Sequence, residues 1–193
     1  MGDRSGPLDM SRVGRVSYEA FVKAYAGRLH AFVAAYLQDS AETEDVVQTA
    51  FLKAWGRWET LDGDPAAPGW IYAVSRNEAI ERLRLRRKVQ EHGGRVAAHR
   101  TATAPDDPGE ARIEDEDRRS RLDRVRRIVA GLREPYRSVI LLRFGQSLSY
   151  AEIAQTLQQP LGTVKTHLCR AIRLVRRACV GLEQEVEDHD GLR

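Results

Sequence analysis

The stretch LSYAEIAQTLQQPLGTVKTHLCRAIRLVRR, residues 148–177, holds two amphipathic segments separated by a few residues around Pro160. In the second, Val164, Leu168, Ala171 or Ile172, and Val175 recur at spacings of three and four. That is the stripe of a helix with one side buried. Two short helices cross closely when the first carries a small residue near its middle and the second an apolar residue early on, and Ala154 and Val164 stand ten apart with Ile153, Leu157 and Leu168 around them. Four residues after Ala154, where such pairs commonly turn on glycine, stands Gln158. A left-handed backbone there costs a residue with a Cβ about 1 kcal/mol, so the bend is expected from Pro160 and Gly162. The stretch reads as a helix-turn-helix.

The side of the second helix away from that stripe carries Thr163, Lys165, Thr166, His167, Arg170, Arg173, Arg176 and Arg177. Hydroxyls and an imidazole near the N-terminal end can meet base edges in a major groove, and arginines farther along can reach phosphates or guanine. An arginine-rich helix by itself is more often a solvated face. The preceding YAEIAQTL segment and the tight turn favour DNA reading here. Helix-turn-helix units serve many functions, so the rest of the chain has to decide.

Outward from this stretch, the pattern stays helical. Residues 118–182 continue it through Leu122, Val125, Ile128, Val129 and Leu132 and then PYRSVILLRF. Toward the N-terminus, Ser17 reads as the cap of a helix with Tyr18, Phe21, Val22, Tyr25, Leu29, Phe32, Val33, Tyr36 and Leu37 at helical spacing. A break at Gln38–Ala41 precedes a second helix with Val46, Val47, Ala50, Phe51, Ala54, Trp55 and Trp58 on one side. LDGDPAAPG, residues 61–69, is a loop, and a third helix runs from Trp70 to Lys88. Residues 90–117 lack periodicity and read as a linker, residues 1–16 as a disordered N-terminus, and residues 183–193 as an acidic tail. With no strand-like alternation and no fixed repeat, the fold class is all-α, two small helical bundles (17–89 and 118–182) on a flexible linker.

Composition sets the bounds. The 193 residues suffice for two small domains. Lys and Arg number 31 against 28 Asp and Glu, a net charge of only +3, so the local clustering of sign matters more than the total. Two cysteines are too few for a disulfide scaffold, and ten positions apart on one helix they do not meet. They read as thiols of a reducing cytosol. No run of about eighteen apolar residues and no apolar signal core is present, so the expectation is a cytoplasmic chain without membrane insertion. The five histidines show no ligand spacing, no nucleophile and base are paired in sequence, and no glycine-rich phosphate loop appears. No metal, cofactor or catalytic residue is expected.

The segments AETEDVVQTAFLKAWGRW (41–58), WIYAVSRNEAIERLRLRRK (70–88) and LREPYRSVILLRFGQSLSYAEIAQTLQQPLGTVKTHLCRA (132–171) together resemble the extracytoplasmic-function (ECF) sigma factors, the small two-domain members of the sigma-70 family. The likeness covers residues 17–88 and 118–177, with both halves in the family's order. It implies that 17–89 is sigma region 2, which binds core polymerase and recognises and melts the minus-ten element, and that 118–182 is sigma region 4, which reads the minus-thirty-five element. The implied partners are the polymerase core, through the large-subunit clamp coiled coil and the flap, promoter DNA, and an anti-sigma factor.

By position, the resemblance places Asp45, Val47, Gln48, Phe51, Leu52 and Trp55 at the core-polymerase interface or in the core beneath it. The spacing of four puts Phe51 and Trp55 in the core first, and Asp45 and Gln48 at the interface. Thr49 stands where relatives commonly carry an acid. The minus-ten helix would use Trp70, Tyr72, Arg76, Asn77, Arg82, Arg84, Arg86, Arg87 and Lys88. That chemistry stands on its own terms, because stacking on an aromatic or guanidinium face offers about 1–3 kcal/mol per unpaired base. Six cations in the thirteen residues 76–88 suit a displaced strand. Trp70 reads equally as a core anchor. Glu81 replaces the family's usual Asp. Minus-thirty-five contacts map to Thr163, Lys165, Thr166, His167, Arg170 and Arg173, with Thr166–His167 where relatives often have Ser-Arg; an imidazole shortens the reach and makes the charge sensitive to pH. The acidic linker residues Asp106, Asp107, Glu114, Asp115, Glu116 and Asp117 read either as a nucleic-acid mimic near the active-site cleft or as a plain tether. The rival reading is a helix-turn-helix regulator that binds DNA without being a polymerase subunit. It leaves the 41–58 and 70–88 helices without a role.

Overall fold

A computed structural model describes the backbone of residues 17–92 and 112–190, with side chains for 17–91 and 119–180. The N-terminal segment 1–16, most of the linker, its acidic side chains and those of the tail lie outside the described residues. Every regular element among the described residues is helical: α1 (Tyr18–Leu37), α2 (Ser40–Trp55), α3 (Trp58–Leu61), α4 (Ala67–His92), α5 (Arg112–Gly131), α6 (Tyr136–Ile140), α7 (Tyr150–Leu157) and α8 (Leu161–Asp190), with a π-helical turn at Leu141–Gly145 after α6. They fall into two compact units, one holding α1–α4 with Ala151–Gln159, the other α5, α6 and α8.

Local chemistry sets the ends of the first helices. Ser17 Oγ accepts from the Ala20 amide at 3.2 Å, and Asp39 Oδ1 from the Glu42 amide at 3.0 Å. Each cap satisfies an amide that the helix start would otherwise leave unpaired. Between them Gln38 adopts φ 53°, a left-handed residue whose N–H closes on Ala34 O. This reversal lays α2 against α1.

In the first unit α1, α2 and α4 pack on one another as a three-helix bundle. Its core is Phe21, Tyr25, Leu29, Phe32 and Val33 from α1, Val46, Ala50 and Ala54 from α2, and Ile71, Tyr72 and Ala79 from α4. The rings meet edge-on, Phe32 to Tyr72 at 5.2 Å and Tyr25 to Tyr72 at 6.4 Å between centroids. Two buried hydroxyls bond to the backbone of their own helices, Ser75 Oγ to Ile71 O at 2.8 Å and Thr43 Oγ1 to Asp39 O at 2.6 Å.

The second unit is built on α8, against which α5 and α6 pack. Val129, Leu132, Val139, Ile140, Leu142, Leu148, Val164, Leu168 and Ala171 are buried. Where α6 loosens into the π-helical turn, the Gln146 amide reaches Leu141 O at 3.1 Å and Arg143 Nη1 donates to Leu148 O at 2.9 Å.

Several boundaries differ from the sequence expectation: α4 begins at Ala67, inside the span read as a loop, and α8 runs on to Asp190, through most of the span read as a tail. α4 runs on to His92 and α5 starts at Arg112, so both ends of the span read as a linker are helical. Arginine and glutamate are good helix formers without being apolar, so RIEDEDRR carries propensity but no stripe to detect. The turn before α8 also differs. Gln158 itself is left-handed, φ 52°, and the bend is made there rather than by Pro160 and Gly162. The Gln159 amide bonds back to Ala154 O at 2.9 Å, while Pro160 O opens α8 by accepting from Thr163 and Val164.

Candidate nucleic-acid interface

α8 is two-sided. Val164, Leu168 and Ala171 are buried, Ile172 and Val175 half-buried, and Lys165, Thr166, Arg170, Arg173, Arg176 and Arg177 exposed. Thr163 and His167 are half-buried at the edge between the sides. The Thr166 hydroxyl donates to Gly162 O at 2.9 Å, which leaves its lone pairs to accept from a base amino group. The His167 ring stands edge-on to Tyr136 of α6, centroids 5.8 Å apart and planes at 86°. All six residues chosen from the sequence therefore lie on or beside one exposed, cationic strip. Sequence reasoning passed over Tyr136 because it precedes the helix-turn-helix and reads as one more apolar residue of PYRSVILL.

α4 divides its basic run between two tasks. Arg86 turns inward to α2: Nε donates to Glu42 Oε1 at 3.0 Å, Nη2 lies 2.7 Å from Glu42 Oε2 and 3.4 Å from Asp39 Oδ2, and Nη1 donates to Leu37 O at 3.2 Å. Arg82 stands 3.6 Å from Asp45, and Lys53 of α2 pairs with Glu78. Arg86 is thus committed to the fold, which corrects its placement on DNA. Arg84, Arg87 and Lys88 are exposed, as is Asn77, whose Oδ1 accepts from Arg76 at 3.1 Å.

The aromatic pair at the start of α4 separates in the same way. Tyr72 is 1% exposed between Tyr25 and Phe32 and cannot stack on a base, a correction to the sequence reading. Burial pushes its phenol up to about 12, against the opposing pull of Arg28. Trp70 is half-buried, with the Arg57 guanidinium carbon 5.8 Å from its ring centre. It stays within reach of a partner, already flanked by a cation.

On α2, Asp45, Gln48, Leu52 and Trp55 are exposed, Val47 is half-buried and Phe51 is buried. Leu52 at 66% and Trp55 at 62% are among the most exposed large apolar side chains described. The core position expected for Trp55 is therefore corrected. Its ring leans edge-on against Tyr18 at 4.8 Å, Trp58 flanks Tyr18 at 5.2 Å, and the Tyr18 hydroxyl donates to Phe51 O at 2.8 Å. An exposed apolar cluster held rigid from behind is the usual anatomy of a protein-docking patch. Tyr18 and Trp58 complete this aromatic cluster, although the sequence reading gave them no part in it. The signal was the pair of tryptophans in WGRW (55–58) at and just after the end of α2.

Among the described residues no three His, Cys, Asp or Glu side chains cluster to hold a metal ion, and no helix is long and apolar enough to cross a membrane.

Comparison with known families decides between the readings. The model of sigma-70 region 2 matches residues 21–89 and that of sigma-70 region 4 matches residues 122–175. The chain belongs to the sigma-70 family. Its curated relatives place it among the ECF sigma factors: SigK of Mycobacterium ulcerans is 26% identical over 86% of this chain and 89% of its own length. RNA polymerase sigma-H factor of Pseudomonas aeruginosa is 28% identical over 91% and 93%. SigV of Bacillus subtilis is 30% identical over 73% and 78%. In fold, the chain is similar to the sigma factor RpoE of Bartonella quintana, solved with the anti-sigma factor NepR (TM-score 0.64, 22% identity, 84% of this chain and 96% of that one). It is likewise similar to CnrH, solved with the cytosolic domain of CnrY (TM-score 0.62, 19% identity, 85% and 88%). Membership in this family removes the stand-alone regulator and makes the chain a polymerase specificity factor.

Proposed function

We propose that this sigma factor divides its work among three surfaces. The Asp45, Gln48, Leu52 and Trp55 patch on α2 docks on the clamp coiled coil of the polymerase core. The exposed side of α4, with Trp70, Asn77, Arg84, Arg87 and Lys88, engages the minus-ten segment and steadies it once unpaired. The α8 strip of Thr163, Lys165, Thr166, His167, Arg170 and Arg173 reads the minus-thirty-five element. The observation that carries this reading is the sidedness of α8, where a buried apolar stripe backs a row of exposed cations and hydroxyls at the helix's N-terminal half.

Melting requires an interaction that exists only when the bases are apart. Unstacking costs a few kcal/mol per base, and ring or guanidinium faces at about 1–3 kcal/mol per base offset it. Trp70 is the ring of α4 placed for this, since Tyr72 is sealed in the core. The chain performs no catalysis in this account; the polymerase does. It acts in the cytoplasm, where polymerase and promoter are. RpoE was solved in complex with the anti-sigma factor NepR and CnrH in complex with the cytosolic domain of CnrY, and an anti-sigma factor as partner belongs to the same reading.

Run-off transcription tests it. Purified core polymerase with this chain as the only specificity subunit is expected to give a transcript of defined length from a cognate promoter. Stable association with core but no discrete transcript from any promoter found by start-site mapping contradicts it.

A further inference from the structure

Trp70 stands near the start of α4, and the dense basic run of that helix, Arg82 to Lys88, comes much later. At the rise of an α-helix those cations lie about 18–27 Å along the axis from the indole. Arg82 and Arg84 also stand 3.6 Å from Asp45 and Glu81, and Arg86 is bound to Glu42. Arg76 is nearer, but its guanidinium donates to Asn77 Oδ1 at 3.1 Å. A nucleotide stacked on Trp70 needs its phosphate met locally, and the run of α4 is too far along the helix to do it.

The cation that meets the ring comes from another element. Arg57 lies in the WGRW turn between α2 and α3, with its guanidinium carbon 5.8 Å from the indole centre. Its backbone is pinned at both ends. The Arg57 N–H donates to Ala54 O at 3.1 Å, and its carbonyl accepts from the Thr60 amide at 3.0 Å, the Leu61 amide at 3.2 Å and the Thr60 hydroxyl at 2.8 Å. The side chain therefore leaves from a fixed Cα, which lowers the cost of ordering it on binding. It is exposed, and it makes no hydrogen bond or ion pair with any described residue.

A guanidinium over a ring uses its flat face, whereas its five N–H donors lie in the plane and point outward. Stacking on Trp70 and pairing with a phosphate can thus occur together. We infer that Arg57 is a nucleic-acid residue of the minus-ten site: it backs the Trp70 indole and pairs with a phosphate of the unpaired strand beside it. The inference rests on the proposed function of α4, with Trp70 as the ring that steadies the unpaired segment. It adds to that site a cation from the end of the docking helix, outside the basic run.

The test uses holoenzyme reconstituted from saturating core polymerase and the full chain. The probe is a fluorescent single strand carrying the minus-ten segment of a start-site-mapped promoter, and anisotropy reads its affinity across a salt series. Arg57→Ala is expected to lower affinity about tenfold, the size of one charge-assisted contact, at unchanged melting temperature. It is also expected to reduce the slope of log affinity against log salt by about 0.7, the share of one single-strand phosphate. Arg57→Lys is expected to restore the slope but only part of the affinity, because an ammonium pairs with a phosphate without lying flat on the ring. In a chain that already carries Trp70→Ala, Arg57→Ala is expected to cost less than it does alone. If Arg57→Ala keeps wild-type affinity and slope while Trp70→Ala loses affinity, the assignment of Arg57 is wrong and the reading of α4 stands. Lower affinity at an unchanged slope also overturns it, because an arginine that only braces the turn would give that result. If wild-type holoenzyme does not prefer the minus-ten strand to a scrambled one, or Trp70→Ala leaves binding unchanged, the reading of α4 fails and this inference with it.

Discussion

Arg86 and Glu42 face each other across the first unit as a two-pronged pair, Nε to Oε1 at 3.0 Å and Nη2 to Oε2 at 2.7 Å. The same guanidinium donates to Leu37 O at the end of α1. Three helices are therefore tied at one side chain. This decides what the basic run of α4 can do: a cation used to close the bundle is not available to a phosphate.

Arg86→Ala is expected to lower the unfolding free energy by about 1–2 kcal/mol, since a partly buried ion pair that also hydrogen-bonds a carboxylate and a helix-end carbonyl exceeds the usual surface value. Arg86→Lys is expected to recover less than half, because an ammonium cannot reproduce the fork. Arg87→Ala, on the exposed side, is expected to leave stability within about 0.5 kcal/mol and to weaken binding of single-stranded minus-ten DNA. Urea unfolding and fluorescence anisotropy measure the two effects separately.

Leu52→Asp removes an apolar contact from a position 66% exposed. Folding should be indifferent, within about 0.5 kcal/mol, whereas affinity for core polymerase should fall at least tenfold, as at the centre of a docking patch. Trp55→Ala is expected to weaken core binding similarly, with a small loss of stability from its edge contact with Tyr18. Competition binding against an unaltered chain reads both.

Alkaline conditions should weaken the first unit. Tyr72 has its ionisation raised from 10.0 to about 12, chiefly by burial, and Tyr25 is raised for the same reason. A raised folded-state value means that the neutral phenol is the native form. The associated stability is present in full below about pH 10 and lost as pH climbs toward 12, because the unfolded chain releases those protons first. Unfolding midpoints between pH 9 and pH 12 should fall steadily, and Tyr72→Phe should make that decline shallower.

Most of the first bundle was legible in sequence because α1 has unbroken three-and-four spacing and a capping serine. What spacing missed has identifiable causes. Tyr72 belongs to a stripe with Ser75 and Ala79, but a serine whose hydroxyl bonds to its own helix looks polar in sequence and breaks the pattern. Trp55 stands four residues after buried Phe51, yet α2 ends there and no further turn covers the ring. Arg86 and Glu42 are 44 positions apart, and no local pattern records such a pairing. The α8 strip was legible because burial and chemistry alternate on one helix. The contact of Tyr136 with His167 was not, since it comes from another element.

The turn at Gln158 shows a further limit. A departure from the usual glycine suggested a different bend, but the chain keeps the left-handed backbone, φ 52°, and carries the strain. Gln158→Gly trades about 1–2 kcal/mol of steric cost against about 0.5–1 kcal/mol of added chain entropy. It is expected to stabilise the protein by about 0.5 kcal/mol. Gln158→Val is expected to destabilise it by about 1 kcal/mol. Chemical denaturation followed by far-ultraviolet circular dichroism checks both.

The central claim is that this chain, seated on core polymerase, opens promoter DNA. Permanganate oxidation of thymines in a start-site-mapped promoter, with holoenzyme made from core and this chain alone, reads that opening directly. Reactive thymines are expected across the minus-ten segment, lost with Trp70→Ala and retained with Tyr72→Phe. Holoenzyme that binds the promoter but leaves every thymine protected would contradict the account.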